Sequence, residues 1–167
     1  LVVEAKSPGT GRPIANALTR YGVDADHVIV NSFIANELSP SKAAGYPTVL
    51  NFNSEERAPK PEAFGSFPYN YLALPYTTSE AYIRQAVTAG LKIIIHTVNQ
   101  HNVRNRFLPL GVEGFYSDDA LYQQGISNTP AWSPDDPYWR QTWYHGQIPT
   151  TEGHYGKFTA PAKWGVS

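Results

Sequence analysis

The sequence predicts an α/β fold built on a parallel sheet, and three observations predict it. Six short, continuously apolar and β-branched runs recur: "LVVEA" from residue 1, "HVIVNSF" from 27, "PTVLNF" from 47, "YLALPY" from 71, "KIIIHTVN" from 92 and "EGFYSDD" from 113. A strand covered on both faces needs this continuous pattern, whereas a half-exposed strand alternates. Helical segments lie between most of these runs. The run starts follow one another at a pitch of roughly 20–26 residues, which is that of a repeating βα unit. Two architectures share the pitch. An open doubly wound sheet reverses its strand order at a switch point. A (β/α)₈ barrel winds on without reversal and averages ~250 residues. Six units ending near residue 120 fit such a barrel lacking two units, and periodicity alone does not choose.

The elements follow in order. After the first run, "RPIANALTRYG" places Pro13 in a first turn, Ile14, Leu18 and Tyr21 at helical spacing, and Gly22 as a stop. A short helix over Glu37 to Ala44 joins the second and third strands. The segment 53–70 breaks the rhythm: Pro59, Pro61, Gly65 and Pro68 punctuate it and no apolar stripe runs through it. It reads as an irregular loop, more plausibly a tolerated surface insertion than a pocket cover. "TSEAYIRQAVTAG" gives the clearest helix. Thr78 or Ser79 can cap it, Ala81, Ile83, Ala86 and Val87 form its apolar stripe, and Gly90 ends it. "NQHNVRNRFLPLG" closes in the same way at Gly111. The organisation is therefore 1–125 as six βα units and 126–167 as an irregular extension. That extension holds all four tryptophans (132, 139, 143, 164), with Tyr138, Tyr144, Tyr155, His145 and His154. Its aromatics suit packing against the barrel or a partner better than stacking on a sugar or base.

Composition limits the function. The 167 residues carry a net charge of −1, which points to neither nucleic acid nor an anionic membrane. No apolar run is long enough to span a bilayer. With no cysteine there is no disulfide and no thiolate metal site. The charged fraction is 16%, below the usual ~25%, and aromatics make up 13%. That balance leans towards an exported protein, so an extracytoplasmic location is the expectation.

Chemistry concentrates where strands end. Glu4 and Lys6 project to one side because strand side chains alternate. At the carboxyl end of a barrel strand, that side builds active sites. A carboxylate there can hold Ca²⁺ or Mg²⁺, and an adjacent ammonium can neutralise phosphate. A plain interior salt bridge fits the spacing equally well. "GTGRP" lacks the third glycine of a dinucleotide loop, since Ile14 stands there, and no G-K-[ST] follows. Serine-hydrolase elbows and zincin helices have no sequence mark. His96 lies within a buried run, and a core histidine is more commonly hydrogen-bonded than catalytic. His27 precedes its strand, at the wrong end of a barrel for chemistry.

Read together, these motifs resemble the glycerophosphodiester phosphodiesterase family. "VVEAK" is similar to its Glu-x-Lys strand, and "VIVNSF" to its Ser-Phe strand through Ser32 and Phe33. "YLALPYTTSEAYIRQAVTAGLKIIIHTVN" resembles its penultimate helix and Trp-Thr-Val-Asn strand, with His96 in the Trp position. "GVEGFYSDDA" is similar to its closing Gly-Val-x-Gly-hydrophobic-x-Thr-Asp motif, with Ser117 for Thr and then Asp118. The likeness spans residues 1 to about 125. It implies a (β/α)₈ barrel of the phosphatidylinositol-phospholipase-like type, here strands three to eight. It also implies a metal-dependent hydrolysis of glycerophosphodiesters to glycerol 3-phosphate and an alcohol. By position, Glu4 would be a metal ligand for Ca²⁺ or Mg²⁺ and Lys6 a phosphate neighbour. Phe33, His96 and Asn99 would belong to the pocket wall, with histidine changing the family's apolar wall at 96.

The same resemblance puts the catalytic elements elsewhere. The family's His-Arg-Gly, its Glu-x-Asp pair and its second histidine lie on strands one and two, so no general acid or base is expected in this chain. Acid–base catalysis contributes ~10²–10⁴ in rate, and the isolated chain is expected to be inactive. A barrel open by two strands exposes two edges. The expectation is that the tail, a second copy or a companion fragment covers them. Two competing readings stay open: a non-catalytic binding or structural module whose aromatic tail contacts carbohydrate or a partner, and a phospholipase of the phosphatidylinositol-specific class.

Overall fold

The computed structural model describes residues 1–118, so the expected boundary at 125 and the extension 126–167 lie outside the described residues. Six strands form one sheet: β1 (Val2–Glu4), β2 (Ile29–Ser32), β3 (Thr48–Asn51), β4 (Tyr71–Pro75), β5 (Ile93–His96) and β6 (Gly114–Phe115). Every neighbouring pair is parallel, and the spatial order is β1-β2-β3-β4-β5-β6. That order contains no reversal. The doubly wound alternative, which needs a switch point, is thereby removed.

The sheet is also curled. In a flat sheet β2 and β5 would lie about 14 Å apart, at roughly 4.8 Å per strand. Yet Phe33, just past β2, meets His96 at the end of β5 edge-to-face, with ring centroids 6.0 Å apart. The six strands thus form a half-barrel with helices on its convex side.

Burial explains the continuously apolar runs of β2 to β5. The first run, expected to be a buried strand, instead leaves Leu1 76% and Val2 50% exposed at the open edge of the sheet. On the convex face, Val28, Val30, Leu50, Leu72, Leu74, Ile93 and Ile95 pack under the helices. Their partners are Leu18 of α1 (Gly11–Arg20), Leu38 of α2 (Ala35–Ala43), Ile83 and Ala86 of α3 (Glu80–Thr88), and Phe107 of α4 (His101–Phe107). Burying a side chain of this size contributes about 1.5–3 kcal/mol. On the concave face, Val49, Ala73 and Ile94 form a separate cluster with Ile29, Tyr71 and Tyr116 and with no helix residue.

Two helix starts show how the loops are fixed. At α3, Ser79 is the cap: its Oγ accepts the Tyr82 N–H at 3.2 Å. At α1 no local side chain caps the start. Glu37 of α2 does it instead, its carboxylate accepting the Gly9 N–H at 2.8 Å and the Gly11 N–H at 2.6 Å. Those two amides, Gly9 first, hold the Glu37 carboxyl below its ordinary 4.5. The sign follows from linkage. A depressed folded pKa adds stability that is present above the ordinary value and is lost as pH falls through the folded one. Glu37→Gln is therefore expected to melt lower than the wild type near neutrality, with the gap closing on acidification. Melting curves taken across the acid range check this, and a gap that stays constant with pH refutes it.

The segment 53–70 is irregular, as its prolines and glycine require, and forms two 3₁₀ turns, Glu55–Arg57 and Pro61–Ser66. It is not a mere surface insertion. Ala58 and Phe64 are buried in the convex core, and the Tyr82 hydroxyl donates to the Pro59 carbonyl at 2.7 Å. That burial, helped by the nearby charge of Glu55, pushes Tyr82 up to about 12. Two apolar anchors without helical spacing escape a search for periodicity.

Candidate active site on the concave carboxyl rim

Parallel strands bring their carboxyl ends to one rim, and alternation decides which side chains face inward. Glu4 ends β1 opposite Asn31 of β2, and Asn31 lies opposite Val49 of β3. Val49 belongs to the concave cluster, so Glu4, Asn31 and, two residues beyond Val49, Asn51 share the concave side.

Glu4 and Lys6 sit on this rim, with the ammonium 4.0 Å from the carboxylate. Their side chains are 33% and 77% exposed, which settles the choice between a buried salt bridge and an open rim pair in favour of the rim. A pair this exposed contributes only ~0–1 kcal/mol to stability, so both charges stay available to a ligand.

Ser32 and Phe33 divide the labour of their motif. The buried Ser32 hydroxyl donates to the Ala5 carbonyl at 2.6 Å and accepts the Ile34 N–H at 2.9 Å, which sews the ends of β1 and β2 together. Phe33 stays 45% exposed and leans on His96. The His96 Nε2 is 3.1 Å from the Phe52 carbonyl. A carbonyl only accepts, so Nε2 carries the proton and the ring's remaining acceptor is Nδ1. Burial lowers the His96 pKa, partly countered by the Phe52 carbonyl, so the imidazole is neutral at neutral pH.

Asn99 is buried and engaged. Its Oδ1 accepts from Ser117 Oγ at 3.1 Å and from the Asp118 N–H at 2.9 Å, while its Nδ2 donates to Asp118 Oδ2 at 2.8 Å. The amide fixes the backbone beyond β6 and aims the Asp118 carboxylate. The structure thus puts Glu4, Lys6, Phe33 and His96 on one rim and uses Asn99 to position its far end.

Three further residues line the concave side. Asn31 and Asn51 are 6% and 4% exposed, and the Oδ1 atoms of both are enclosed without a hydrogen-bond partner. The Asn31 side chain is close enough to the Tyr116 hydroxyl to act on its titration as a hydrogen-bonding neighbour. Burial raises the Tyr116 pKa, the Asn31 amide lowers it, and the Glu4 charge raises it again. Tyr116 therefore reaches from the end of β6 to the β1–β2 side of the half-barrel. Asparagine inside an apolar run is a visible signal, yet spacing does not say which face it takes.

The class of fold defined here is a parallel α/β barrel, of which the described residues form six consecutive strands. The solved structures it resembles include phosphodiesterases. One, a phosphodiesterase from Oleispira antarctica in complex with the product sn-glycerol-3-phosphate, superposes with a TM-score of 0.60 at 17% identity, over 74% of this chain and 52% of that one. A glycerophosphodiester phosphodiesterase from Parabacteroides distasonis gives 0.59 at 16% identity, over 75% and 56%. A phosphodiesterase in complex with c-di-GMP gives 0.55 at 15% identity, over 78% and 68%. No family model and no curated protein matches the sequence. The likeness to glycerophosphodiester phosphodiesterases is therefore one of fold. The chain spans about half the length of those it matches.

Proposed function

We propose that this chain is the carboxyl-side part of a divalent-cation-dependent phosphodiesterase that hydrolyses glycerophosphodiesters to glycerol 3-phosphate and an alcohol. One observation carries the reading: in a fold shared with glycerophosphodiester phosphodiesterases, Glu4 and Lys6 stand side by side on the open carboxyl rim.

The residues fit a hard cation. Glu4 offers an accessible carboxylate, and Asn31, its neighbour across the strand pair, offers an orphaned amide oxygen. Both are oxygen donors of the kind that Ca²⁺ and Mg²⁺ prefer. No group of three or more His, Cys, Asp or Glu converges among the described residues, so this reading draws further carboxylates from strands outside them. Bound at Glu4, the cation would supply Lewis-acid stabilisation of the phosphodiester and help to activate the attacking water. Lys6 balances phosphate charge. Phe33 and the neutral His96 make a wall that excludes water and places the ester. The general acid and base come from the same outside strands, carried by a companion fragment or the rest of a longer polypeptide, which also closes the sheet beyond β1. Among the described residues, no helix is long and apolar enough to cross a membrane.

The test is an assay of glycerophosphocholine cleavage with Ca²⁺ or Mg²⁺. The isolated 167-residue chain is expected to be inactive, and adding the two upstream barrel strands is expected to produce cation-dependent release of glycerol 3-phosphate. A completed protein that cleaves nothing, or that cleaves only cyclic dinucleotides, refutes the reading.

A further inference from the structure

His96 brings to the rim a hydrogen-bonding atom that the proposed reaction leaves unused. It ends β5 on the concave side, because Ile94, two residues earlier, belongs to the concave cluster. Two contacts fix its ring. Nε2 donates to the Phe52 carbonyl at 3.1 Å, and Phe33 meets the ring edge-to-face with centroids 6.0 Å apart. With the proton on Nε2, the neutral ring presents a lone pair at Nδ1, which only accepts. Among the described residues nothing donates to Nδ1. Nor is it sealed in the interior, as the Oδ1 atoms of Asn31 and Asn51 are, so solvent or a molecule that displaces solvent reaches it. The Phe52 carbonyl thus decides which of the two nitrogens reads a ligand.

A neutral acceptor beside an aromatic ring is selective about what it meets. A phosphodiester oxygen is itself an acceptor and is repelled by the lone pair. A quaternary ammonium such as that of choline has no N–H or O–H to give. A hydroxyl donates one hydrogen bond without adding charge, and the carbon that bears it can lie against Phe33, which is 45% exposed. We propose that His96 is a specificity residue whose Nδ1 accepts a hydrogen bond from a hydroxyl of the alcohol part of the substrate. The site then takes phosphodiesters of polyhydroxy alcohols in preference to their deoxy or quaternary-ammonium counterparts. The hydroxyl belongs to the glycerol or to a polyol leaving group, and the chemistry at Nδ1 is the same for both. The inference rests on the phosphodiesterase reading and narrows its substrate class.

The test uses the completed protein and three substrates: glycerophosphocholine, glycerophosphoglycerol, and propylphosphocholine, which lacks the glycerol hydroxyls. One neutral hydrogen bond of ordinary net strength corresponds to a preference of roughly 3–10-fold in kcat/KM. Glycerophosphocholine preferred over propylphosphocholine by that factor assigns the hydroxyl to glycerol. Glycerophosphoglycerol preferred over glycerophosphocholine assigns it to the leaving group. His96→Gln keeps a donor for the Phe52 carbonyl but withdraws the acceptor from the Nδ1 position, so it is expected to bring the ratio close to one, chiefly through KM. His96→Asn leaves an oxygen near that position without the reach to Phe52, and is expected to retain part of the preference. A merely structural role predicts the opposite order of the two variants. Each readout is a ratio of substrates within one variant, which a reduced folded fraction does not move. A wild type that shows neither preference overturns the inference, as does a preference that survives His96→Gln, and both leave the phosphodiesterase reading standing. A completed protein that cleaves none of the three substrates overturns that reading and the inference with it.

Discussion

Gly11→Ala is expected to destabilise the protein by about 3 kcal/mol or more, at or beyond the top of the usual range for overpacking. The reason is contact, not conformation. A methyl group on Gly11 would stand 2.0 Å from the Glu37 carbonyl oxygen and 2.8 Å from its carbonyl carbon. Those atoms belong to the backbone of α2, which Leu38 anchors in the core, so they cannot turn aside as a flexible side chain would. Relief requires α1 and α2 to separate, which also breaks the hydrogen bonds from Gly9 and Gly11 to the Glu37 carboxylate. Urea unfolding measures the loss, and a fall in Tm on the order of 10 °C accompanies it. Gly9→Ala makes an instructive contrast, since Gly9 has open space around it but a φ of +86°. Its cost is backbone strain of about 1 kcal/mol. Equal effects at the two positions would show that the close approach of α1 to α2 is wrong.

Glu4→Gln in the completed protein is expected to lower cation-dependent cleavage of glycerophosphocholine by roughly 10²–10³-fold. Glutamine keeps the shape and one oxygen but removes the charge that holds the cation. A metal's stabilisation of developing charge is worth several kcal/mol, and each 1.36 kcal/mol is tenfold in rate. Because Glu4 is an exposed rim residue, the substitution should leave Tm nearly unchanged. That separates a lost ligand from a lost fold. Activity within a factor of a few of the wild type would remove Glu4 from the chemistry, and raised Ca²⁺ or Mg²⁺ restoring the variant would tie the defect to cation affinity.

The parts of the architecture legible in the sequence are those in which local pattern and burial agree. Continuous apolar runs report the buried strands β2 to β5, though not the exposed β1, and the cap at Ser79 with the stop at Gly90 reports α3. The choice between barrel and open sheet lay beyond periodicity, because curl arises only when distant strand ends meet, as Phe33 and His96 do. Glu37 as the cap of α1 was invisible for the same reason: it acts over 26 residues, and no spacing rule reaches that far. The rim pair Glu4 and Lys6 was readable from alternation plus resemblance. The oxygens behind it were not, because an asparagine in a strand declares its polarity but not its face or its lack of partners.

The order of the sheet governs how the molecule can be made. Each strand pairs with the one that follows it in sequence, so every pairing closes a loop of only one unit. Closing such short loops costs little entropy, and low separation between contacting residues favours rapid folding. A nascent chain can therefore dock each unit on its predecessor as it emerges, growing from one side in the direction of translation. Docking that needs no later residue also makes the boundary between any two units a natural seam for joining polypeptides.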